Sequence, residues 1–505
     1  MSELEFSVVI LAAGKATRFK SERPKVLHPL AGRRLGDYVI DAAQAAEPQR
    51  TYIIIGHQAE DVRRALDRPG LQFIAQTEQL GTGHALMVAR PELEQCPSPN
   101  LMVLVGDAPL VRPETLRTLV SKHVRTKAAA TILTTQLDDP TGYGRVMRWK
   151  RGYTPLDSPE HDRVRTIVEE RLCTPRQKTT KEVSSGILSF DREVLLKYVD
   201  RLSADNAQKE YLLTDLIEIL NKQRYKVIAL RVADSREILG VNDRVELARV
   251  EKTLRLRKAE ALMRDGVTIV DPHTTYIDDA VDVGQETVIE PGVSLLGRTW
   301  VGHNCLLGPY STITDSTLDA YVTVRQNCVV SGSKIASGVI LGPFAHVRDG
   351  ATIAQDAQVG NFVEVKKSRV GRGSKARHLT YLGDATLGER VNVGAGTITC
   401  NYDGKKKNAT QIEDGAFIGS GTMLVAPVRV GRDSYVAAGS TITDEVPPES
   451  LALGRARQIN KEGWARERAK VKGQEGTGPE TCSCTSSRLI KTRLSAECYT
   501  GRRPM

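Results

Sequence analysis

A chain of 505 residues, 40% hydrophobic and 26% charged, is long enough for two or three globular domains. Its net charge of +10 comes from scattered basic residues without an aromatic-interleaved RNA-binding motif, so we expect anionic small-molecule substrates and no nucleic-acid partner. No stretch of about 18 apolar residues and no secretory leader is recognisable, and the eight cysteines lack zinc or CxxC spacing. We therefore expect a cytoplasmic protein with reduced thiols and no membrane partner.

The first predicted element is a buried parallel strand, Ser7–Leu11, followed by a loop of small residues, Ala12–Arg18, and a helix-compatible segment. Such a loop lets backbone N–H groups approach a phosphate at the positive end of a helix dipole. The signal alone is weak, because any α/β domain has a glycine after its first strand. Two cations, Arg18 and Lys25, lie within reach of the loop and favour a polyphosphate ligand over a purely structural turn.

Two further strands, Tyr52–Ile55 and Leu101–Val105, are predicted to end at one edge of a parallel sheet. Ligands collect at that edge, so Asp107 is well placed to hold Mg²⁺; an aspartate that caps the next turn is the alternative. The polar loop Gln76–His84 combines amide side chains with glycines. It is chemically suited to read a nucleobase edge, with a surface turn as the alternative.

The chain divides by pattern into four segments. They are an α/β domain over 1–243, a linker helix over 244–266, a repeat domain over 267–455, and a basic tail over 456–505 that is helical over Gln458–Lys472 and disordered after 473. Asp265-Gly266 is a suitable stop for the linker helix. The segment Trp149–Asp162, rich in proline and charge, is predicted to be a surface insertion.

Aliphatic residues recur at every sixth position through most of the repeat domain. They are Ile277, Val283, Ile289, Leu295, Val301, Leu307 and Ile313, then Leu341, Val347, Ile353, Val359 and Val365, then Ile418, Leu424, Val430, Val436 and Ile442. This period is typical of a parallel β-helix, in which three six-residue faces close each coil, and about ten coils of roughly 18 residues fit. A β-sandwich, the alternative, has short strands but no fixed aliphatic hexad.

Two interruptions of the hexad, Thr314–Ser333 and His378–Gly415, are predicted to be loops pushed out of the coils. A single histidine in a β-coil is usually packed or solvated. His378, however, has many polar companions, among them Arg348, Glu364, Lys366, Tyr381 and Asn401. The second interruption is therefore a candidate active site.

Several motifs together identify a family. They are Leu11–Gly14, Pro24–His28, Gly81–Ala85, Gly142–Arg145, Gly240–Arg244, His378–Asp384 and Gly394–Gly404. From Val8 to about Trp464 the chain closely resembles the bifunctional bacterial enzymes that are N-acetylglucosamine-1-phosphate uridyltransferase and glucosamine-1-phosphate acetyltransferase. The resemblance implies a Rossmann-like α/β nucleotidyltransferase domain followed by a left-handed parallel β-helix of hexapeptide repeats.

For the α/β domain, the resemblance implies transfer of UMP from UTP to N-acetylglucosamine 1-phosphate, with Mg²⁺ as cofactor. Asp107 and Asn242 would hold the metal, and Arg18 and Lys25 would neutralise the triphosphate. The implied nucleotide contacts are Leu11, Ala12, Ala13, Gly14, Lys25, Gln76, Gly81 and Thr82, and the implied sugar-phosphate contacts are Gly144, Glu169, Ser184 and Asn242. Positioning and charge neutralisation suffice for this in-line displacement.

For the β-helix, the resemblance implies acetylation of glucosamine 1-phosphate by acetyl-CoA in a homotrimer. His378 is the expected base, oriented by Glu364, since a free imidazole has a pKa of about 6.5. The implied sugar-phosphate contacts are Arg348, Lys366, Tyr381, Asn392, Asn401, Tyr402 and Lys405, and the implied acetyl-CoA contacts are Ala395, Asn401, Tyr402, Ser420, Ala438 and Arg455.

Three departures from the family pattern fall in the first site. Ala16 stands where glycine is usual, and Ser184-Ser185-Gly186 stands where Asn-Thr-Gly is usual. The methyl group of Ala16 and the shorter reach of Ser184 are each expected to weaken substrate binding by about one hydrogen bond, roughly 0.5–1.5 kcal/mol, without abolishing turnover. Two other interpretations remain open: activity on a different sugar 1-phosphate, and a regulatory assembly protein without catalysis. Intact Asp107, Asn242 and His378 disfavour the latter.

Overall fold

The computed structural model describes residues 4–15, 17–149, 162–206 and 209–474, with side chains up to 470. Three predictions lie wholly or largely outside these residues: the departure at Ala16, the insertion Trp149–Asp162 except for its two end residues, and the disorder of the tail beyond 474. The chain divides into two compact units, one up to Gly454 and one from Arg455. The first unit contains both an α/β sheet and a prism of short strands.

A nine-stranded sheet forms the N-terminal part, with the strand order β11-β7-β10-β6-β1-β4-β5 and with β8 and β9 paired beside β10. Its strands are β1 Phe6–Ala12, β4 Thr51–Ile55, β5 Leu71–Ala75, β6 Asn100–Val105, β7 Ala130–Gln136, β8 Arg145–Arg148, β9 Val164–Val168, β10 Glu182–Asp191 and β11 Val227–Arg231; β2 Pro29–Leu30 and β3 Arg33–Arg34 form a separate hairpin. Because β1 pairs in parallel with β4 and β6, these three strands end at one edge.

Helices cover both faces of this sheet over two separate hydrophobic clusters. They are α1 Leu35–Ala45, α2 Ala59–Leu66, α3 Thr82–Val88, α4 Arg90–Glu94, α5 Pro113–Thr126, α7 Arg192–Tyr198 and α8 Asp215–Lys222. The short α6 Pro175–Lys178 buries no side chain, and α9 Arg244–Arg264 contributes Val250, Ala259 and Leu262 to two other clusters. 3₁₀ turns span Thr17–Phe19, Lys25–Leu27, Glu170–Leu172, Val199–Arg201 and Ser235–Ile238. In the part of the chain that the structure describes, no helix has the length and apolar character needed to cross a membrane.

The helix α9 leads from the sheet to the prism. Asp243 caps its N-terminus, and its carboxylate accepts from the amides of Val245 and Glu246 at 2.9 and 2.8 Å. Further along the helix, Arg255 pairs with Asp278 of the first coil at 3.0 Å. The β2–β3 hairpin contributes a second tie, since Arg33 pairs with Asp279 at 2.9 Å.

The prism has three faces of parallel strands. The first has Thr268–Ile269, Val288–Ile289, Leu306–Leu307, Thr323–Val324, Ile340–Leu341, Asn392–Val393, Phe417–Ile418, Tyr435–Val436 and Leu451–Ala452; the second has Tyr276–Ile277, Ser294–Leu296, Thr312–Thr314, Val329–Ser331, His346–Arg348, Ile398–Cys400, Met423–Val425 and Thr441–Ile442; the third has Asp282–Val283, Trp300–Val301, Thr317–Leu318, Lys334–Ile335, Thr352–Ile353, Arg369–Val370, Ala385–Leu387, Thr410–Ile412 and Val428–Val430. Two longer strands, Gln358–Lys366 and Lys375–Gly383, continue from the first face onto the second. The fold class predicted from the sequence, an α/β domain followed by a parallel β-helix, is confirmed.

The prediction that both interruptions are extruded loops is wrong for the first. Leu318 follows Ile313 after five residues instead of six, and Ile335 follows Val330 in the same way, yet all four side chains are buried in the prism. The register confirms it, because Trp300 pairs with Thr317 in a coil of 17 residues. Shortening a corner by one residue removes a turn position but leaves the inward direction of the strands unchanged.

Within the second interruption only one segment leaves the coils. The chain stays in the prism from His378 to Cys400, and an excursion over 401–409 precedes the next strand, Thr410–Ile412. The rest of the predicted loop is ordinary coil with shortened corners, again because the aliphatic spacing drops to five residues, from Leu382 to Leu387.

The second unit contains α10, Trp464–Gln474. The sequence predicts a helix already from Gln458, so the observed start is later. Gly463 adopts φ +77°, a left-handed conformation incompatible with a helix that runs through this position.

Because every inward-facing aliphatic side chain packs between coils, mutation of two neighbouring leucines in one strand should change the stability of the protein by very different amounts. Leu307 is 0% exposed and Leu306 is 42% exposed. We expect Leu307→Ala to lower the free energy of unfolding by about 2–5 kcal/mol, because it opens a cavity between coils. The matched control Leu306→Ala should change it by about 0.5 kcal/mol or less. Urea unfolding followed by circular dichroism measures both, and equal effects would contradict the inward assignment.

Candidate functional sites

A cavity of about 500 Å³ opens at the sheet edge where β1 and β6 end. Its lining includes all eight predicted nucleotide contacts, together with the predicted cation Arg18 and the predicted metal ligands: Leu11, Ala12, Ala13, Gly14, Lys25, Gln76, Gly81 and Thr82, with Arg18, Asp107 and Asn242. It also includes Glu210, which the sequence prediction missed and which no local motif marks. The loops after β1, β5 and β6 converge because these parallel strands end together, and Glu210 and Asn242 join them from later parts of the chain.

Two cationic side chains and two side-chain oxygens that could bind a metal meet on one side of this cavity. The Lys25 ammonium lies 2.6 Å from Asp107 Oδ2 and 3.4 Å from Asn242 Oδ1, and Arg18 donates to the same Asn242 oxygen at 2.8 Å. One cation thus already reaches both oxygens. The spacing and the oxygen chemistry fit a shared Mg²⁺, which keeps several ligands from water and substrate phosphate. No cluster of three or more acidic, histidine or cysteine ligands occurs among the described residues.

The loop before α3 has the features required to contact a planar base. Gln76 donates through Nε2 to His84 Nδ1 at 2.9 Å and to the Gly81 carbonyl at 3.3 Å. These bonds fix the orientation of the amide and leave its oxygen as an acceptor. Gly81 adopts φ +111°, and a Cβ there would lie 2.6 Å from the Tyr211 carbonyl, so only glycine fits.

Three predicted sugar contacts, Gly144, Glu169 and Ser184, are not part of the cavity lining but are neighbours of one another. A Cβ on Gly144 would lie 3.5 Å from Glu169 Oε1, and the Ser184 amide donates to the Gly144 carbonyl at 2.9 Å. The Ser184 hydroxyl accepts from the Gly186 amide at 3.3 Å, so it is engaged locally. Burial raises the pKa of the Glu169 carboxyl, and the hydroxyl of Thr214 partly offsets this shift.

In the prism, His378 contacts a residue that differs from the predicted one. Its Nδ1 lies 2.8 Å from Asn361 Oδ1, whereas Glu364 pairs with Arg348 at 2.7 Å. The prediction that Glu364 orients the histidine is therefore wrong. The register explains why: Asn361 lies directly opposite His378 on the two long strands, and Glu364 lies opposite Tyr381. Asn361 lies 17 residues before His378, so a coil of 17 residues is the sequence signal that indicates this contact.

The excursion over 401–409 carries further predicted sugar contacts and begins next to the long strand that contains His378. Asn401 donates to Asp384 Oδ2 at 2.6 Å and lies 3.5 Å from the Tyr381 hydroxyl. Lys407, which the prediction missed, lies against Lys366, and this second ammonium lowers the pKa of Lys407. The family resemblance had implied Lys405, two residues earlier, as the contact at this edge of the sugar.

Asp403 holds the excursion together. Its carboxylate accepts from the amides of Lys405 and Lys406 at 2.8 Å each and from the Asn408 side chain at 2.9 Å. These hydrogen bonds lower the pKa of Asp403 to about 2. Tyr402 is exposed, and its hydroxyl donates to the Gly404 carbonyl at 2.8 Å.

Three of the six predicted acetyl-CoA contacts, Ala395, Ser420 and Ala438, occupy one corner of successive coils. The amide of Gly421 donates to the Ala395 carbonyl at 2.7 Å, and the amide of Gly439 donates to the Ser420 carbonyl at 2.8 Å. Ala438 lies on the next coil at the same corner. Its amide nitrogen is so close to Gly419 that a Cβ on that glycine would lie 2.5 Å away. Asn392 begins a strand of the first face, and Arg455 opens the second unit.

The fold and the two groups of residues define a nucleotidyltransferase joined to a hexapeptide-repeat acyltransferase. Residues 8–171 match the MobA-like NTP transferase domain, and residues 409–444 match the bacterial transferase hexapeptide, whose six repeats are typical of left-handed β-helices. The chain is 48% identical over 470 residues to the bifunctional protein GlmU of Koribacter versatilis, covering 93% of this chain and 98% of the relative. It is 46% identical over 458 residues to that of Carboxydothermus hydrogenoformans, covering 91% and 99%.

The chain belongs to the family of bifunctional GlmU proteins, and the resemblance predicted from its motifs is confirmed. It is a bifunctional enzyme with uridyltransferase and acetyltransferase activities, one for each matched domain. Nucleotide and acetyl-CoA are accordingly its substrates.

The Asp403 contacts generate a test that separates the two sites. We expect Asp403→Ala to raise the KM for the sugar phosphate in acetyl transfer about fivefold to twentyfold, because the excursion loses three hydrogen bonds. Uridyl transfer by the same preparation should stay within about twofold. Asp444→Ala is the control. This aspartate is exposed, and among the described residues its carboxylate accepts one hydrogen bond, from the hydroxyl of adjacent Thr443 at 3.1 Å. Equal losses in both variants would refute the role of the Asp403 turn.

Proposed function

We propose that the residues gathered in the two sites carry out consecutive steps of UDP-N-acetylglucosamine synthesis, which supplies peptidoglycan precursors. The prism acetylates glucosamine 1-phosphate, and the sheet domain then joins the product to UMP from UTP. The observation that carries the proposal is the meeting of Arg18, Lys25, Asp107 and Asn242 in a cavity large enough for a nucleotide.

In the uridyl-transfer step, an oxygen of the sugar phosphate attacks the α-phosphorus of UTP. The bond from that phosphorus to the bridging oxygen breaks, and pyrophosphate leaves. Arg18 and Lys25 compensate the charge on the phosphates, while Gln76 and the backbone around Gly81 hold the uracil. Gly144, Glu169 and Ser184 hold the sugar, and a Mg²⁺ ion on Asp107 and Asn242 would neutralise phosphate charge further.

In the acetyl-transfer step, the amine of glucosamine 1-phosphate must lose a proton to attack the thioester. Asn361 accepts a hydrogen bond from Nδ1 of His378, which leaves Nε2 free to take this proton. The new N–C bond forms as the C–S bond breaks, and coenzyme A leaves as the thiol. Arg348, Lys366 and Lys407 supply positive charge for the sugar phosphate, with Tyr381, Asn392, Asn401, Tyr402 and Lys405 around the sugar.

An exposed apolar ridge beside His378 supports a homotrimer. Phe344 and Phe362 stack at 5.2 Å, Leu379 continues the row on the next coil, and all three are exposed. Ridges of this kind mark protein interfaces. A second copy covering it would border His378 and the acetyl-CoA contacts Ala395, Ser420 and Ala438. Among the described residues, the cysteines at 96, 173, 305, 328 and 400 are free thiols, which supports the cytoplasm as the location of the protein.

Separate assays of the two half-reactions test the assignment. We expect Asp107→Ala to lower uridyl transfer about a thousandfold or more, because a metal ligand and the partner of Lys25 are lost together. His378→Ala should lower acetyl transfer about a hundredfold or more. Each variant should retain the other activity, which also reports correct folding. Loss of both activities in a folded variant would overturn the two-site assignment.

The contact between Asn361 and His378 provides a second test in the prism. We expect Asn361→Ala to lower kcat of acetyl transfer about tenfold, because the imidazole loses the acceptor that fixes its tautomer. Asn361→Asp keeps an acceptor at the same position and should recover most of the rate. Glu364→Gln is the comparison, and a larger effect there than in Asn361→Ala would restore Glu364 as the orienting residue.

A further inference from the structure

We propose that Thr214 is a positioning residue of the uridyltransferase, acting on the sugar subsite through Glu169. It belongs to a four-residue segment, Tyr211–Thr214, here called the strap, that none of the sequence motifs includes. The proposal deepens the proposed uridyl-transfer function and rests on it.

The strap is bonded closely to the base-contacting loop. Its Tyr211 amide donates to the Leu80 carbonyl at 2.8 Å, and its Tyr211 carbonyl accepts from the Gly83 amide at 2.8 Å. Its Leu213 amide donates to the hydroxyl of Thr82 at 3.0 Å. Three hydrogen bonds therefore fix the strap against the segment that lines the nucleotide cavity.

The last residue of the strap, Thr214, contacts the sugar subsite. The hydroxyl of Thr214 donates to Glu169 Oε1 at 3.0 Å. Glu169 directly follows β9, and Thr214 directly precedes α8, whose Asn221 donates to the Val164 and Arg165 carbonyls of β9 at 3.0 and 2.9 Å. The two elements that carry the pair are thus fastened to each other.

The contact matters because Glu169 lies in a confined place. Its carboxylate lies against Gly144, where a Cβ would be 3.5 Å from Oε1 and 3.0 Å from Ile167, and burial works against its charged form. A hydroxyl donor stabilises the carboxylate and selects one rotamer of a side chain that has three rotatable bonds. Thr214 therefore sets the direction in which Glu169 presents its second oxygen to the sugar, and the same strap sets the position of Thr82.

The test is steady-state kinetics of uridyl transfer by the full chain with Thr214→Val, which keeps the shape and removes the donor. We expect the KM for N-acetylglucosamine 1-phosphate to rise about tenfold and the KM for UTP to change less than about twofold. Thr214→Ser restores the hydroxyl and should recover the KM for the sugar phosphate. Acetyl transfer by each preparation reports folding, and Thr214→Ala replaces the valine variant if the latter lacks that activity.

A double-mutant cycle with Glu169→Gln shows whether Thr214 acts through Glu169. We expect Thr214→Val to cost much less in the Glu169→Gln background than in the wild type. An unchanged KM in Thr214→Val, no recovery in Thr214→Ser, or full additivity in the cycle would overturn the inference. A wild-type chain without uridyl transfer would instead overturn the proposed function itself, so the two failures are distinguishable.

Discussion

Backbone hydrogen bonds between successive coils decide which side chains of the prism become neighbours. Each coil donates its amides to the carbonyls of the next, and the inward aliphatic side chains keep this stacking in register. Residues 17 or 18 apart along the chain therefore meet on one face. His378 and Asn361 are one such pair, so the geometry of the acetyltransferase site is a direct consequence of coil length.

The sheet domain uses a different constraint for the same purpose. Its parallel strands end at one edge, and the loops that follow β1, β5 and β6 line one cavity. Asn242 reaches the cavity from a distant part of the chain, immediately before the cap of α9. Because α9 and the β2–β3 hairpin are also ion-paired to Asp278 and Asp279, the loops that hold Lys25 and Asn242 are braced by the first coil.

The sequence was sufficient for both fold classes and for most of the nucleotide cavity, since strand ends and glycine loops are local signals. It was insufficient where register decides the contact. The spacing drops from six residues to five between Ile313 and Leu318, and a search for fixed hexads interprets that as a loop although the coil continues. Glu364, predicted as the residue that orients His378, lies opposite Tyr381 instead, and the 17-residue coil brings Asn361 opposite the histidine.

Contacts made by segments that carry no recognisable motif also could not be predicted from the sequence. Lys407 and Thr214 reach their sites through an excursion and a strap whose paths depend on tertiary hydrogen bonds. In the prism this has an electrostatic consequence. The Asp403 turn holds the excursion in place, and Lys407 then lies beside Lys366 although like charges repel. A phosphate bound beside the two ammonium groups would offset that repulsion, so their proximity favours binding of an anionic sugar.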